Sequence, residues 1–240
     1  MMLHYKVWQW LGQHGTTAMA PEKVGLFGIA KPSNSRHPFA VVNELICERI
    51  GRFIGLPIPP GCIVTKGQIP YFVSLNFNLS GEDLPPIIPS KVIAEQSYLS
   101  WGVIVFDAWM VNCDRHNNNI SYDTYTQQLH VFDHSHALLC GSNPFETMEV
   151  REQKIFNIHC LAKHVLNQNG LSDWINRVQM VPDYVIKDTV NDAGTYCTSA
   201  STISQCVDYL LKRRDNIESI IETHKSTFPN LIPSLTNELE

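Results

Sequence analysis

The chain has 240 residues with a formal net charge of −5, and 44% of its residues are hydrophobic while 17% are charged. This composition supplies a core for one two-lobed domain or two small ones, and it argues against long disordered stretches. The acidic balance gives no electrostatic reason to expect nucleic acid or an anionic membrane as a direct partner.

The seven cysteines are odd in number and form no C-x-x-C pair. We therefore expect reduced thiols in a cytoplasmic protein, not a disulfide scaffold or a zinc ribbon. The N-terminus lacks a long apolar stretch, and no segment approaches the roughly 18 apolar residues of a membrane span. We expect neither a signal peptide nor a transmembrane helix.

The first half of the chain predicts a small sheet with one helix. Residues 24–30 are typical of a strand that leads to Lys31. Residues 39–54 predict an amphipathic helix, because apolar residues recur at spacings of three and four, and Gly55 fits its C-terminal stop. Two further strands are predicted at residues 63–65 and 71–75, around a turn at Lys66 and Gly67.

The second half of the chain predicts mostly helices. Residues 81–90 include three prolines and are the expected boundary between two lobes. Residues 98–111 are apolar almost all round, which predicts a helix buried on most sides. Residues 119–122 and 129–132 predict a hairpin. Further helices are predicted at residues 154–166, 172–178 and 203–221.

This order of elements favours an α+β fold with a small β-rich lobe and a larger helical lobe. We expect a single domain over residues 1–240, with an N-lobe at 1–80 and a C-lobe at 81–240.

Three oxygen-bearing side chains, Asp114, Asn119 and Asp133, stand on two loops beside the predicted hairpin. An Asp can orient a hydroxyl and accept its proton, while an Asn carbonyl and a second Asp are oxygen ligands that Mg²⁺ accepts. We choose Asn119 over Asn117 and Asn118 because it directly precedes the strand, whereas its neighbours serve the turn. The layout predicts a phosphoryl-transfer site for ATP and Mg²⁺, with these three residues as the catalytic set and Asn119 and Asp133 as metal ligands.

Lys31 and Glu44 are the candidate partners of the ATP phosphates. A lysine at the end of a strand can point into an interlobe cleft, and Glu44 on the next helix can pair with it. Gly12 and Gly15 are candidates for a phosphate-covering loop, although neither a Walker A motif nor a G-x-G-x-x-G motif is present. The alternatives are a solvated lysine, a surface glutamate and an ordinary turn.

Arg115 and His116 follow Asp114 directly and can orient the loop or touch phosphate; a structural tie within the lobe is the alternative. Asp107 lies inside the apolar helix, where a buried carboxylate needs partners. We interpret Asp107 as an anchor for the loop and not as a catalyst.

Histidines around these loops offer a competing interpretation, a transition-metal centre for hydrolysis. They are His116, His130, His134 and His136. Their spacing matches no recognised metal motif such as H-E-x-x-H, so we expect them to be scaffold.

Residues 106–116 with Asn119, and residues 132–135, resemble the catalytic loop of HipA-like kinases. Residues 44–60 look like the helix and following turn of the small lobe in that family, and residues 203–221 are similar to the terminal helix of its shorter, single-domain members. The resemblance covers most of residues 20–223. Related loops also occur in type II phosphatidylinositol kinases.

The resemblance implies a bilobal kinase-like fold, ATP and Mg²⁺, and phosphorylation of a Ser or Thr hydroxyl on a protein substrate. By position, Lys31 binds the ATP phosphates with Glu44 as its partner. Asp114 is the catalytic base, and Asn119 and Asp133 hold Mg²⁺.

Several features depart from ordinary protein kinases. Arg115 and His116 follow the catalytic Asp instead of preceding it, no Gly follows Asp133, and no A-P-E segment appears. Longer family members are toxins controlled by a DNA-binding antitoxin, which leaves a regulatory protein partner and a toxin role open. Thr16 and Thr17 stand where some of those toxins carry autophosphorylated serines, which makes their autophosphorylation a hypothesis.

The primary hypothesis is therefore a cytoplasmic, ATP- and Mg²⁺-dependent protein Ser/Thr kinase. One alternative is an inactive kinase-like nucleotide-binding module that acts through a partner, which the complete set of site residues disfavours. The other is a lipid or small-molecule kinase, which the lack of a basic patch or amphipathic membrane helix disfavours.

Overall fold

A computed structural model describes residues 7–13, 21–77, 85–197 and 199–231. The first part of the chain forms β1 (Val7–Gln13), β2 (Glu22–Leu26), β3 (Gly28–Pro32), α1 (Ala40–Phe53), β4 (Gly61–Lys66) and β5 (Ile69–Leu75). The remainder forms α2 (Pro89–Glu95), α3 (Ser97–Trp109), β6 (Ile120–Asp123), β7 (Gln128–Val131), α4 (Met148–Glu152), α5 (Leu171–Gln179), α6 (Asp183–Gly194), α7 (Ala200–Asp215) and α8 (Ile217–Thr223). Within these ranges no helix is long and apolar enough to cross a membrane.

The strands of the small lobe form two antiparallel sheets, β1-β2 and β3-β5-β4. The single strand predicted over residues 24–30 is wrong, because β2 ends at Leu26 and β3 begins at Gly28 in the other sheet. Gly28 is required there by close approach: a Cβ at this position would lie 2.6 Å from Val73 Cγ1 of β5. In β3, Lys31 pairs in register with Phe72.

Helix α1 confirms the prediction for residues 39–54 and joins the two parts of the molecule. It packs against β3, β4 and β5 on one side and against α6 on the other. It ends in a Schellman motif, in which Leu56 N–H donates to Gly51 O (2.9 Å) and Gly55 N–H donates to Arg52 O (3.0 Å). Gly55 has the positive φ of 93° that this motif needs, which confirms its role as the stop.

Helix α3 confirms the prediction of a buried helix, since every residue from Ser100 to Trp109 is buried. It packs against α5, α7 and α8. The last carbonyls of a helix have no hydrogen-bond donor within the helix. In α3, Arg213 of α7 donates hydrogen bonds to two of them. The guanidinium donates from Nε to Trp109 O (3.0 Å) and from Nη2 to Ala108 O (2.5 Å). Arg213 therefore fixes the C-terminal end of α3, which leads to Asp114.

The other helices differ in part from the sequence prediction. Residues 172–178 lie within α5, as predicted, but α2 and α6 are not predicted. The helix expected over residues 154–166 is wrong, because this stretch forms turns and one short 3₁₀ segment, Ala162–His164. Several of its backbone amides close local turns, as when Asn157 N–H donates to Lys154 O (3.0 Å), while Cys160 N–H donates to the distant Arg115 O (2.9 Å). The helix expected over residues 203–221 is two helices, α7 and α8, separated at Asn216.

The hairpin predicted around residues 119–132 is confirmed as β6 and β7. All seven cysteines lie within the described residues and carry free thiols, as expected. The expected lobe boundary at residues 81–90 lies partly outside the described residues, and the lobe limits stay a prediction.

Gly102 gives a test of how α3 is packed. A methyl group here would lie 2.5 Å from Trp174 Cε2, so we expect Gly102→Ala to lower the free energy of unfolding. Overpacking costs about 1–3 kcal/mol, and the better helix propensity of Ala offsets up to about 1 kcal/mol of that. Urea denaturation followed by tryptophan fluorescence measures the difference. Gly25→Ala is the control, since its Cβ meets Gln9 Cβ at an ordinary 3.6 Å; equal stability of both variants would contradict this packing.

Candidate active site

A cavity of about 410 Å³ lies between the three-stranded sheet, α1 and the β6-β7 hairpin. Much of its lining is apolar and includes Ile29, Ile58, Phe72, Leu75, Ile120 and Phe132. Lys31, Glu44 and Asp133 are also part of the lining. This cavity, the cleft, therefore combines an apolar surface with a cluster of ionisable side chains.

Lys31 lies between two carboxylates. Its Nζ is 3.1 Å from Glu44 Oε1 and 2.9 Å from Asp133 Oδ1. The other oxygen of Glu44, Oε2, accepts a hydrogen bond from His134 N–H at 3.1 Å. The contact of Lys31 with Glu44 agrees with the sequence expectation, whereas its contact with Asp133 is not predicted. The cluster joins β3, α1 and the loop after β7.

The protonation of this cluster follows from burial and mutual attraction. Burial would lower the pKa of Lys31, but Glu44 and Asp133 outweigh it and raise the pKa, so the ammonium stays charged. Burial would raise the pKa of Asp133, but Lys31 and the Ser135 hydroxyl outweigh it and lower the pKa to about 2. For the fully buried Glu44, burial dominates and raises the pKa.

The loop after α3 carries Asp114. Asn119 Nδ2 donates a hydrogen bond to Asp114 O at 2.8 Å, and Asp114 N–H donates to Asn112 Oδ1 at 3.2 Å. The Asp114 side chain is 35% exposed and is not part of the cleft lining among the described residues. Its carboxylate is therefore accessible from solvent.

Arg115 ties this loop to its surroundings and is itself fully buried. The guanidinium donates to Asp107 Oδ2 (2.7 Å) and Oδ1 (3.0 Å), to Asn119 O (2.8 Å) and to Phe132 O (2.7 Å). The expectation that Arg115 orients the loop agrees with these contacts, while its burial argues against the alternative of direct phosphate contact. His116 serves the turn, because its Nδ1 accepts a hydrogen bond from Asn118 N–H at 3.2 Å.

Asp107 is the anchor of this network. Besides Arg115 it accepts a hydrogen bond from Asn112 Nδ2 (2.8 Å), and His159 Nε2 lies 3.2 Å from its Oδ2. His159 Nδ1 accepts a hydrogen bond from Leu161 N–H, which leaves the imidazole proton on Nε2, facing Asp107. Burial would raise the pKa of Asp107, but Arg115 and His159 hold it well below its ordinary value. The interpretation of Asp107 as a structural anchor agrees with this geometry.

Asn119 and Asp133 each keep one side-chain oxygen of a type that a hard cation accepts. Asn119 Oδ1 and Asp133 Oδ2 accept no hydrogen bond from any described residue, since Lys31 and Ser135 both contact Oδ1 of Asp133. Asp133 has a positive φ of 57°, unusual for a residue with a side chain. Phe132 N–H donates to Asn119 O at 3.2 Å, so the two loops are adjacent. Amide and carboxylate oxygens are the ligand types that Mg²⁺ takes.

The histidines do not form a metal centre. Across the described ranges, no three His, Cys, Asp or Glu side chains converge in a way that could hold a metal ion. Burial lowers the pKa of His134 to about 3 and that of His130 to about 4, so both rings are neutral near pH 7. His130 stacks on Phe77 with ring centroids 4.0 Å apart. The competing transition-metal interpretation is therefore wrong for the part of the chain that the structure describes.

Of the two glycines predicted to cover phosphates, Gly12 lies within the described residues. Gly12 lies in β1 with a positive φ of 89°, and it is not part of the cleft lining among the described residues. Gly15, Thr16 and Thr17 lie outside the described residues. The role of Gly12 and Gly15 in covering phosphates stays a prediction.

Solved structures of similar fold include a bacterial kinase. A Helicobacter pylori proinflammatory kinase, CtkA, matches with a TM-score of 0.52 and 15% sequence identity over 90% of this chain and 93% of that chain. The chain has a kinase-like fold. At this identity the likeness shows the fold alone, and it confirms the bilobal α+β architecture that the sequence resemblance implied.

The second structure is a complex of toxin–antitoxin proteins HipA and HipB with operator DNA from Shewanella oneidensis MR-1. It matches with a TM-score of 0.47 and 12% identity over 90% of this chain and 68% of that chain. No family model and no curated protein matches the chain.

Within this kinase-like fold, Arg151 of α4 is a positioning residue that the sequence reasoning missed. Its guanidinium donates to Val111 O (3.0 Å), to His136 O (2.8 Å) and to Leu138 O. Val111 and Leu138 both have positive φ, 49° and 36°, a region that side chains disfavour. Arg151 thus clamps the segment before Asp114 to the segment after Asp133. No local sequence pattern signals this role, because it depends on the meeting of three distant segments.

A charge-removal variant tests the Lys31 cluster. In Lys31→Met we expect the pKa of Asp133 to rise from about 2 to the ordinary Asp value of about 4 or above, because the ammonium is lost while burial remains. In the native protein the pair stabilises the fold above about pH 4, and this contribution is lost as the pH falls toward 2. Carboxyl ¹³C shifts followed by NMR over pH report the titration. Exposed Lys66→Met is the control, and an unchanged Asp133 titration would contradict the pairing.

Arg151→Met tests the clamp. We expect the free energy of unfolding to fall by about 3 kcal/mol, because carbonyls that accept from a charged donor lose their partner. Hydrogen exchange should also accelerate at the Leu138 amide, which donates to Met110 O at 2.8 Å. Arg49→Met is the control, since Arg49 pairs with Asp192 at the surface, where ion pairs contribute about 0–1 kcal/mol. Equal exchange at Leu138 in both variants would refute the clamp.

Proposed function

We propose that the protein is an ATP- and Mg²⁺-dependent phosphotransferase that phosphorylates a Ser or Thr hydroxyl of a protein substrate. The observation that carries the proposal is the cluster of Lys31, Glu44 and Asp133 in the cleft, to which Arg115 ties the loop of Asp114. The kinase-like fold supports it.

The cleft suits a nucleotide with a planar apolar base and an anionic tail. The base packs among the apolar side chains of the sheet and hairpin, including Ile29, Ile58 and Phe72. The phosphates reach Lys31, which Glu44 holds in place. When bound, Mg²⁺ on Asn119 Oδ1 and Asp133 Oδ2 would neutralise phosphate charge.

Asp114 acts on the substrate hydroxyl that accepts the phosphoryl group. Its carboxylate orients the substrate hydroxyl and accepts its proton as the hydroxyl oxygen bonds to the γ-phosphorus of ATP. The bond from that phosphorus to the β,γ-bridging oxygen breaks, and ADP leaves with the electron pair. An exposed fraction of 35% leaves the Asp114 side chain accessible to a macromolecular substrate.

A cytoplasmic location belongs to the same proposal, supported by the seven free thiols. Autophosphorylation at Thr16 and Thr17 and control by a regulatory protein stay hypotheses.

Asp114→Ala tests the assignment. We expect phosphoryl transfer from labelled ATP to lysate proteins to fall at least about 100-fold, the scale of a lost general base. ATP affinity should be nearly unchanged, because Asp114 does not line the described cleft. Asp133→Ala should lose both transfer and Mg²⁺-dependent ATP binding. Exposed Asp208→Ala, on α7, is the control.

Full transfer by Asp114→Ala would refute its role as base. ATP binding by the wild type without transfer to any acceptor would favour the nucleotide-binding module instead. Transfer to lipids or small molecules, but not to protein, would favour the remaining alternative.

A further inference from the structure

A second concavity of about 700 Å³ lies beside the loop of Asp114. Three segments line it: prolines 86 and 89, residues 116–118 of the loop, and residues 157–164. We call it the polar groove. Its volume falls within the range of about 300–1,000 Å³ that is usual for ligand sites.

The polar groove adjoins both halves of the proposed reaction centre. Pro86 and Asn118 line the groove and also the cleft. His116 lines the groove, and its Nε2 lies 3.9 Å from Asp114 Oδ2. A chain lying in the groove therefore passes next to the proposed base without entering the cleft.

The walls of the polar groove are fixed to the loop itself. Ile87 N–H donates to Asn117 O at 3.4 Å, which holds the proline segment against the loop. On the other side, Cys160 N–H donates to Arg115 O at 2.9 Å, and the buried His159 faces Asp107. Hydrogen bonds thus set the width of the groove before any substrate arrives.

Lys163 gives the polar groove its charge. Its exposed ammonium makes no ion pair with any described carboxylate, and its backbone is held because Asn230 Nδ2 donates to Lys163 O at 2.6 Å. His116 and His164 add imidazoles, and no Asp or Glu is among the described lining residues. On a chain of net charge −5, this groove favours an anionic partner. The nearby negative groups among the described residues are Asp114, at the His116 side, and the buried Asp107 behind His159, which Arg115 already pairs.

We propose that the polar groove binds the acceptor segment of the protein substrate, with the target hydroxyl at Asp114 and an acidic side chain at Lys163. The position of the hydroxyl rests on the proposed function, whereas the preference for acidic residues does not. Nucleic acid is disfavoured, because one lysine neutralises few phosphates and the whole chain is acidic.

The test uses three fluorescent peptides of equal length, each centred on Ser and flanked by Glu, Gln or Lys. Fluorescence anisotropy measures their binding to the full chain without ATP. We expect the Glu peptide to bind most tightly and more weakly at higher salt. Lys163→Glu should weaken Glu-peptide binding about ten-fold, since an attractive pair becomes a repulsive one. Lys66→Glu makes the same charge change on β4, outside the groove, and should bind as the wild type does.

A second arm repeats the comparison with labelled ATP. The wild type should phosphorylate the Glu peptide with the lowest KM, and Lys163→Glu should raise that KM while Lys66→Glu does not. If Lys163-dependent binding occurs but no peptide or protein is phosphorylated, the groove stands and the proposed kinase function fails.

Three results would overturn the groove proposal whatever the kinase result. One is equal binding of the Glu and Gln peptides, and another is unchanged binding in Lys163→Glu. The third is a single-stranded RNA oligonucleotide that binds more tightly than the Glu peptide and displaces it.

Discussion

The buried pair of Arg115 and Asp107 is the interaction on which the site depends. The Arg115 guanidinium donates hydrogen bonds to both carboxylate oxygens of Asp107 and to the carbonyl oxygens of Asn119 and Phe132. Breaking a buried pair by removing one partner costs about 3–5 kcal/mol, because the remaining charge is left without compensation. Arg115 therefore determines where the loop of Asp114 and the residue before Asp133 lie relative to α3.

Arg151 and Glu152 of α4 connect the loops on both sides of the site to helices α3 and α7. Arg151 bonds carbonyls on both sides of the site, and its neighbour Glu152 pairs with Arg213 at 2.7 Å. Arg213 in turn caps the carbonyls at the end of α3. Two adjacent residues of a five-residue helix thus connect the loop segments to the end of the central helix. This arrangement explains how a left-handed conformation at Val111 is held in place.

The sequence could predict what short-range patterns determine. Asp114 and Asn119 lie on one loop five residues apart, so their proximity follows from the chain itself, and the hairpin brings Asp133 back beside them. By contrast, the contact of Lys31 with Asp133 and the role of Arg151 depend on how distant segments meet, which no local pattern encodes. The helix expected over residues 154–166 is wrong for a related reason, since the Cys160 amide bonds to Arg115 O in the loop of Asp114 while its neighbours close local turns.

The two sides of the site differ in how firmly they are held. Arg115 is fully buried, and its bonds to Asn119 and Phe132 fix the loop of Asp114. On the side of the cleft, Lys31 reaches Asp133 through an ion pair in which both side chains are about one-third exposed, so solvent screens it more than the fully buried pair of Arg115 and Asp107. Under the proposed function, the phosphates of the nucleotide would compete for the same ammonium. In the proposed kinase, the loop of Asp114 is therefore held in place before any substrate binds, whereas the contact of Lys31 with Asp133 is the one that a nucleotide would rearrange.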